Sequence, residues 1–215
     1  MKDIKKIIDV LQKEYPQAKI ELNFSNPLEI LVATILSAQC TDERVNKVTA
    51  ELFKKYKTVD DYANADLKKF EQEIKSTGFY KMKAKNIINA AKIIKEKFNG
   101  KVPDTMQDLI SLPGVARKTA NVVLGNAYGK VEGIVVDTHV RRLSYRIGLT
   151  KNTDPNKIEQ DLMKIVPKDK WFIFPYLLID HGRKICSARK PLCDKCVINK
   201  YCKKVGINKT TENTE

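Results

Sequence analysis

The sequence predicts an all-α protein, and three observations lead there. Apolar residues recur at three- and four-residue spacing along most of the 215 residues. Helix-start signals precede those stretches. β-Branched runs such as Gly133-Ile134-Val135-Val136 are too few and too short to build a sheet.

The elements follow in order. Ile4, Ile7, Ile8 and Leu11 share one helical face, so residues 2–14 form an amphipathic helix that Tyr15-Pro16 ends. Asn26-Pro27-Leu28-Glu29 is a helix start, with Asn26 as N-cap, Pro27 at the first helical position and Glu29 closing a capping box; the helix runs on to Ala38. Thr41-Asp42 opens a helix that carries Val45, Val48, Leu52 and Phe53. A short helix around Leu67, Phe70 and Ile74 stops at Gly78, and a long one runs from Lys83 to Phe98 before Asn99-Gly100. Asp104 is the expected cap of a helix over 105–111. After the turn Leu112-Pro113-Gly114-Val115, helices follow over Ala116 to Ala127, Asp137 to Ile147, Pro155 to Val166 and Lys170 to Lys184. Residues 205–215, rich in Lys, Thr, Asn and Glu, are expected to be disordered.

The bulk composition narrows the function. Forty Lys and Arg stand against 26 Asp and Glu, a net charge of +14, which points to a polyanionic partner. No apolar run approaches the ~20 residues that span a bilayer, and Met1-Lys2-Asp3-Ile4-Lys5-Lys6 lacks the apolar stretch of a signal peptide. The expectation is an intracellular, cytoplasmic protein, nucleoid-associated if prokaryotic, whose cysteines stay reduced and available to metals. Cys186, Cys193, Cys196 and Cys202 are spaced C-x6-C-x2-C-x5-C, close enough to surround one metal centre. Between His181 and Lys204 there are eight Lys or Arg and one acidic residue, so half the net charge lies around those cysteines. Spacing alone leaves zinc and iron–sulfur open, since both take four thiolates. Cys40, far upstream, reads as a buried small hydrophobe.

Two helices joined by Leu112-Pro113-Gly114-Val115-Ala116 make a helix–hairpin–helix signature. The amides that open the second helix lack intrahelical acceptors and carry the positive end of the helix dipole, and Gly114 lets a phosphate oxygen approach the backbone. The alternative is an ordinary αα-hairpin; Arg117-Lys118 and the basic composition favour phosphate. Lys118 sits where the dipole favours a neutral, nucleophilic amine, able to form a Schiff base with a sugar C1′; the simpler role is a phosphate-binding lysine. Asp137 reads as the N-cap of the next helix and as a carboxylate able to accept the amine proton or stabilise an oxocarbenium. His139 reads as a structural hydrogen-bonding residue.

Ser37-Ala38-Gln39-Cys40-Thr41-Asp42, Leu112-Pro113-Gly114-Val115-Ala116-Arg117-Lys118-Thr119-Ala120, Val136-Asp137-Thr138-His139 and His181-Gly182-Arg183 occur in this order, followed by the cysteine cluster. Together they resemble endonuclease III, the bifunctional DNA glycosylase/AP lyase family of the helix–hairpin–helix superfamily, over nearly the whole chain up to Cys202. The resemblance implies two helical domains flanking a cleft. One is a six-helix bundle over 20–132; the other joins 1–19 to 133–204. It implies that Cys186, Cys193, Cys196 and Cys202 hold a [4Fe–4S] cluster, which reverses the preference for zinc that four thiolates alone would give. It also implies double-stranded DNA with damaged bases or abasic sites as partner, a monomeric enzyme, and Lys118 and Asp137 as the catalytic pair. Gln39 matches the residue that fills the gap left by a flipped nucleotide, and Phe79 stands where the family often has a Leu wedge. Gly114, Val115, Ala116 and Arg117 would meet phosphate, as would Arg189 and Lys190 in the cysteine loop. Ala116 departs from a glycine often found there, and its Cβ would crowd a phosphate or rule out a positive φ. The alternatives are a monofunctional mismatch glycosylase, against which Lys118 argues, and a non-enzymatic metal-stapled DNA-binding protein.

Overall fold

The structure is a computed structural model that describes residues 3–207. Among the described residues every regular element is helical. The chain divides into two compact units: Ile20–Glu132 is continuous, while the other joins the segment ending at Lys19 to the segment beginning at Gly133.

The continuous unit is organised around α2 (Pro27–Leu36), whose residues Ile30 to Leu36 are all buried. A helix that is apolar on every side must be surrounded. α3 (Asp42–Lys55), α6 (Tyr80–Lys97) and α8 (Arg117–Tyr128) pack on it. α4 (Val59–Ala63) and α5 (Leu67–Glu73) lie against α6, and α7 (Met106–Ile110) against α8. The unit therefore has seven helices rather than six. The addition is α4, a single turn with a Thr58/Asp61 capping box whose T-x-x-D pattern is the sequence signal for it. Tyr56, Tyr62 and Phe70 form an aromatic cluster with centroids 5.2–5.9 Å apart beside it.

Several helix ends differ from expectation for local reasons. Asn26 does cap α2, accepting from the Glu29 amide at 3.0 Å. Glu29, however, reaches past it to the amide and hydroxyl of Ser25, at 2.6 and 2.8 Å. α2 ends at Leu36, and Ser37 to Cys40 form a turn in which Gln39 has φ +53. Cys40 is half-buried rather than a core residue. α6 starts three residues before Lys83, directly after Phe79. The cap of α7 is Thr105; Asp104 instead pairs with Lys130 at 2.5 Å.

The second unit contains α1 (Ile4–Glu14), α9 (Thr138–Ile147), α10 (Pro155–Ile165) and α11 (Phe174–Lys184). α1 buries Ile4, Ile7, Ile8 and Leu11 and packs on α11, which packs on α9. α11 begins four residues later than expected because Lys168–Lys170 form a separate 3-10 turn. Past the cysteines the chain returns to the end of α9: the amides of Lys203 and Val205 donate to Ile147 and Arg146 at 3.3 and 3.0 Å. Residues 205–207 are thus held in place, contrary to expectation; the rest of the expected tail, 208–215, lies outside the described residues.

Phe70 is fully buried in the aromatic cluster. Its replacement by Ala should lower unfolding stability by about 3–5 kcal/mol, the usual cost of deleting a core aromatic ring, as read from urea unfolding followed by far-UV circular dichroism.

Candidate nucleic-acid interface and metal centre

The start of α8 differs from most other helix starts in the molecule. Asn26, Thr41, Thr58, Asp66, Thr105, Asp137 and Asp154 each accept an amide hydrogen bond with a side chain. α8 is preceded by Ala116, which has no side-chain acceptor to offer. No cap side chain therefore competes with an outside acceptor at the start of α8. Ala116 has φ −91 and ψ 170, extended backbone that any residue adopts, so alanine fits without strain. Gly114 cannot be replaced as easily. Its φ is +78, and a Cβ there would stand 2.9 Å from Cβ of Asn86 on α6. Val115 is buried and its amide donates to Leu112 O at 3.1 Å, so it braces the turn from inside. Arg117 is half-buried, and Lys118 is exposed one residue into the helix. The other two expected DNA contacts of this unit are exposed: Gln39, and Phe79 at 60 % accessibility with φ +47.

Asp137 belongs to the second unit. Its Oδ1 accepts from the Val140 amide at 2.8 Å, and its Oδ2 lies 2.9 Å from His139 Nδ1. The cap bond and the imidazole fix both oxygens, so the carboxylate is held rigid.

The four clustered cysteines ring one cavity, otherwise lined chiefly by apolar residues including Leu143, Ile147, Ile185 and Ile198. Three of the sulfurs lie within reach of hydrogen-bond donors. Arg146 Nη1 reaches Cys186 Sγ at 3.4 Å, the Lys204 amide reaches Cys202 Sγ at 3.4 Å, and His181 Nε2 lies 3.3 Å from Cys196 Sγ. Burial pushes the Cys196 thiol up to about 11 and the Cys202 thiol in the same direction. Thiolates in this cavity therefore require a cationic centre. The four cysteine sulfurs around one cavity are a donor set that an iron–sulfur cluster takes.

The support around the cysteines was not foreseen from sequence. Burial holds His181 neutral, down to about 4, and pushes the Tyr15 phenol up to about 12. A ligating sulfur only accepts, so His181 Nε2–H donates to Cys196, and Nδ1 accepts from the Tyr15 hydroxyl at 2.9 Å. Arg142 Nε and Nη2 donate to Cys186 O at 3.2 and 3.1 Å. Arg146 donates to Ser187 O and Ala188 O at 2.6 and 2.7 Å. Two arginines four residues apart on α9, on the side facing the loop, are the only trace of this in the sequence. They clamp the loop backbone and leave Arg189 and Lys190 exposed at its tip.

A helix–hairpin–helix with an open helix start, in one chain with a cysteine-ringed basic loop, defines a class of DNA repair protein. The sequence model of the HhH-GPD superfamily of base excision DNA repair proteins matches residues 32–168, and that of the iron-sulfur binding domain of endonuclease III matches residues 186–202. Within that class the chain belongs to the endonuclease III family. It is 54% identical to the endonuclease III of Synechocystis sp. over 91% of this chain and 90% of that one. It is 45% identical to that of Bacillus subtilis over 94% and 93%. An endonuclease III solved in a non-covalent complex with DNA superposes with a TM-score of 0.90 at 44% identity, over 94% of this chain and 95% of that one. The protein is accordingly a base-excision repair DNA glycosylase and AP lyase that binds DNA, and its cofactor is a [4Fe–4S] cluster.

Two outcomes follow from this geometry. Cys193→Ser or Cys196→Ser should remove most of the visible absorbance of the purified protein and weaken duplex binding; normal iron content with normal affinity would contradict it. Lys190→Ala should weaken all duplexes alike and make the plot of log K against log salt shallower by about 0.9, one phosphate contact, measured by fluorescence anisotropy titrations at several salt concentrations.

Proposed function

We propose that Lys118 is the nucleophile and Asp137 its assisting carboxylate in the removal of oxidised pyrimidines from duplex DNA, followed by cleavage of the abasic strand. The observation that carries this reading is the exposed Lys118 one residue inside the positive end of α8, which no cap side chain occupies. Phosphate at the amides of Gly114, Ala116 and Arg117 fixes the strand in register without reading sequence. The damaged nucleotide leaves the stack, which costs a few kcal/mol and less for a poorly stacked lesion. Gln39 fills the space it leaves, and Phe79 wedges the neighbouring step.

Lys118 Nζ then attacks C1′, and the bond from C1′ to the base breaks with its electron pair going to the base. Asp137 takes up the amine proton and offsets the positive charge that develops on the sugar. The nitrogen lone pair then opens the sugar ring, the C1′–O4′ bond breaking with its electron pair and a proton going to O4′. The imine so formed at C1′ acidifies C2′; loss of a C2′ proton expels the 3′ phosphate, and the strand is cut on the 3′ side by β-elimination. Water finally hydrolyses the imine and returns Lys118. Cys186, Cys193, Cys196 and Cys202 would hold the cluster, which staples the loop that presents Arg189 and Lys190 to the backbone. The working unit in this reading is a monomer inside the cell, acting on chromosomal DNA at damaged bases or abasic sites.

Lys118→Gln should abolish base release, strand cleavage and borohydride trapping while still binding an abasic duplex. A Lys118→Gln protein that forms the trapped complex would move the nucleophile elsewhere. Asp137→Asn keeps the cap bond to Val140 and should fold normally, bind damaged DNA and turn over about 100-fold or more slowly. Full turnover in that variant would reduce Asp137 to a helix cap.

A further inference from the structure

Lys83 is a cationic side chain in the interior of the continuous unit. It lies on the first turn of α6 and is 4% exposed. Its Nζ donates to two backbone carbonyls, Leu36 O and Thr77 O, both at 2.7 Å. The two oxygens therefore stand no more than twice that distance apart. Each belongs to the last residue before a loop. Leu36 ends α2, and Ser37-Ala38-Gln39 follow it; Thr77 ends a 3-10 turn, and Gly78-Phe79 follow it. Gln39 and Phe79 both adopt positive φ, +53 and +47, a conformation disfavoured for residues with a Cβ. Two tight turns with exposed tips thus share one atom at their bases.

The burial of this amine is not explained by ion pairing, because both its bonds go to neutral carbonyls. Desolvation lowers its pKa, and only Cys40 nearby acts in the other direction. A methionine would fill the same space without that penalty, but it would leave Leu36 O and Thr77 O without this donor and the two loop bases without a common tie. We infer that Lys83 is a positioning residue for base extrusion, fixing the Gln39 loop and the Phe79 loop at one spacing so that both side chains enter the duplex together. The inference rests on the reading of Gln39 and Phe79 as the inserting pair.

The test compares borohydride trapping on an abasic site in duplex and in single-stranded DNA, since only the duplex has a stack to open. Lys83→Met should lower the duplex rate by about 10- to 100-fold, the usual penalty for misplacing groups by an ångström, and leave the single-stranded rate nearly unchanged. A 2-aminopurine beside the abasic site should lose its fluorescence rise on binding. Lys83→Gln, which keeps a donor but is too short to span both carbonyls, should show the same duplex-specific loss and serves if the Met variant does not fold. A full duplex rate in a folded variant, or an equal fall on both substrates, would overturn the inference. Gln39→Ala and Phe79→Ala, run alongside, should show the duplex-specific loss themselves. If they lose it and Lys83→Met does not, the tie alone is wrong; if they retain full duplex activity, the inserting pair is wrong as well.

Discussion

Burying α2 on all sides constrains everything around it. Ten residues of helix are not stable alone in water, so α2 exists because seven consecutive side chains, Ile30 to Leu36, are enclosed by α3, α6 and α8. At about 1.5–3 kcal/mol for each large apolar side chain, that enclosure outweighs any single cap. The energetic difficulty lies at the ends. A buried backbone group without a partner costs about 1–3 kcal/mol, and an enclosed helix has few water molecules to turn to. Asn26 and the Ser25–Glu29 pair close the entrance, and Lys83 closes the exit. Because the exit leads straight into the Gln39 turn, the same bond that completes the core also sets the base of an exposed loop. One turn further along, α6 meets the hairpin: Asn86 packs where a side chain at Gly114 would have to go. The helix that seals the core therefore positions three surface turns.

The basic loop divides its work in a comparable way. The positive charge of the C-terminal region suggests a uniformly DNA-facing surface, yet the arginines nearest the cysteines are committed elsewhere. Arg142 and Arg146 spend their donors on carbonyls of the loop and on a cysteine sulfur. They hold the backbone from beneath, while Arg189 and Lys190 remain at the tip. Cations of two kinds are thus interleaved, one internal and geometric, the other external and electrostatic. Removing the first kind is expected to act through loop order, and removing the second through counterion release, the two being separated by salt dependence.

Local chemistry was legible in the sequence wherever it depends on neighbours along the chain. The start of α2 at Asn26-Pro27 and the α9 cap at Asp137 follow from residues within a turn of each other, and the four cysteines fall within 17 residues. Phe79 and Gln39 could be placed by motif. What escaped depends on groups that meet through the fold. Glu29 chose Ser25 over Asn26 because the chain before the cap turns toward it. Asp104 was drawn from capping α7 by Lys130, 26 residues away. Cys40 lies in the turn that ends α2, so the apolar segment before it does not carry it into the core. Lys83 was open to detection in principle, since it falls on the α6 face shared by Ile87, Ala90, Ala91 and Ile94, where a lysine is out of place. Its two partners are backbone carbonyls, however, which every residue has and no sequence pattern marks. The contacts of Tyr15 and His181, 166 residues apart, are of the same kind.

That last contact has a consequence for how the protein comes into being. α1 leaves the ribosome before α11, with Ile4, Ile7, Ile8 and Leu11 on one face, and the helix it packs against begins about 160 residues later, at Phe174. At about 5–20 residues per second this is a delay of roughly 10–30 s. In that interval the stretch from Ile20 to Glu132 is complete and contiguous and can collapse on its own, while the apolar stripe of α1 stays without its partner. The cysteines follow α11 along the chain. Tyr15 cannot reach His181, nor His181 its sulfur, until residues 181–202 have been made, so iron–sulfur maturation comes after the Ile20–Glu132 unit and the nascent chain carries an exposed hydrophobic helix until then. A chaperone that holds α1 would shield a stripe whose packing partner is made about 160 residues later.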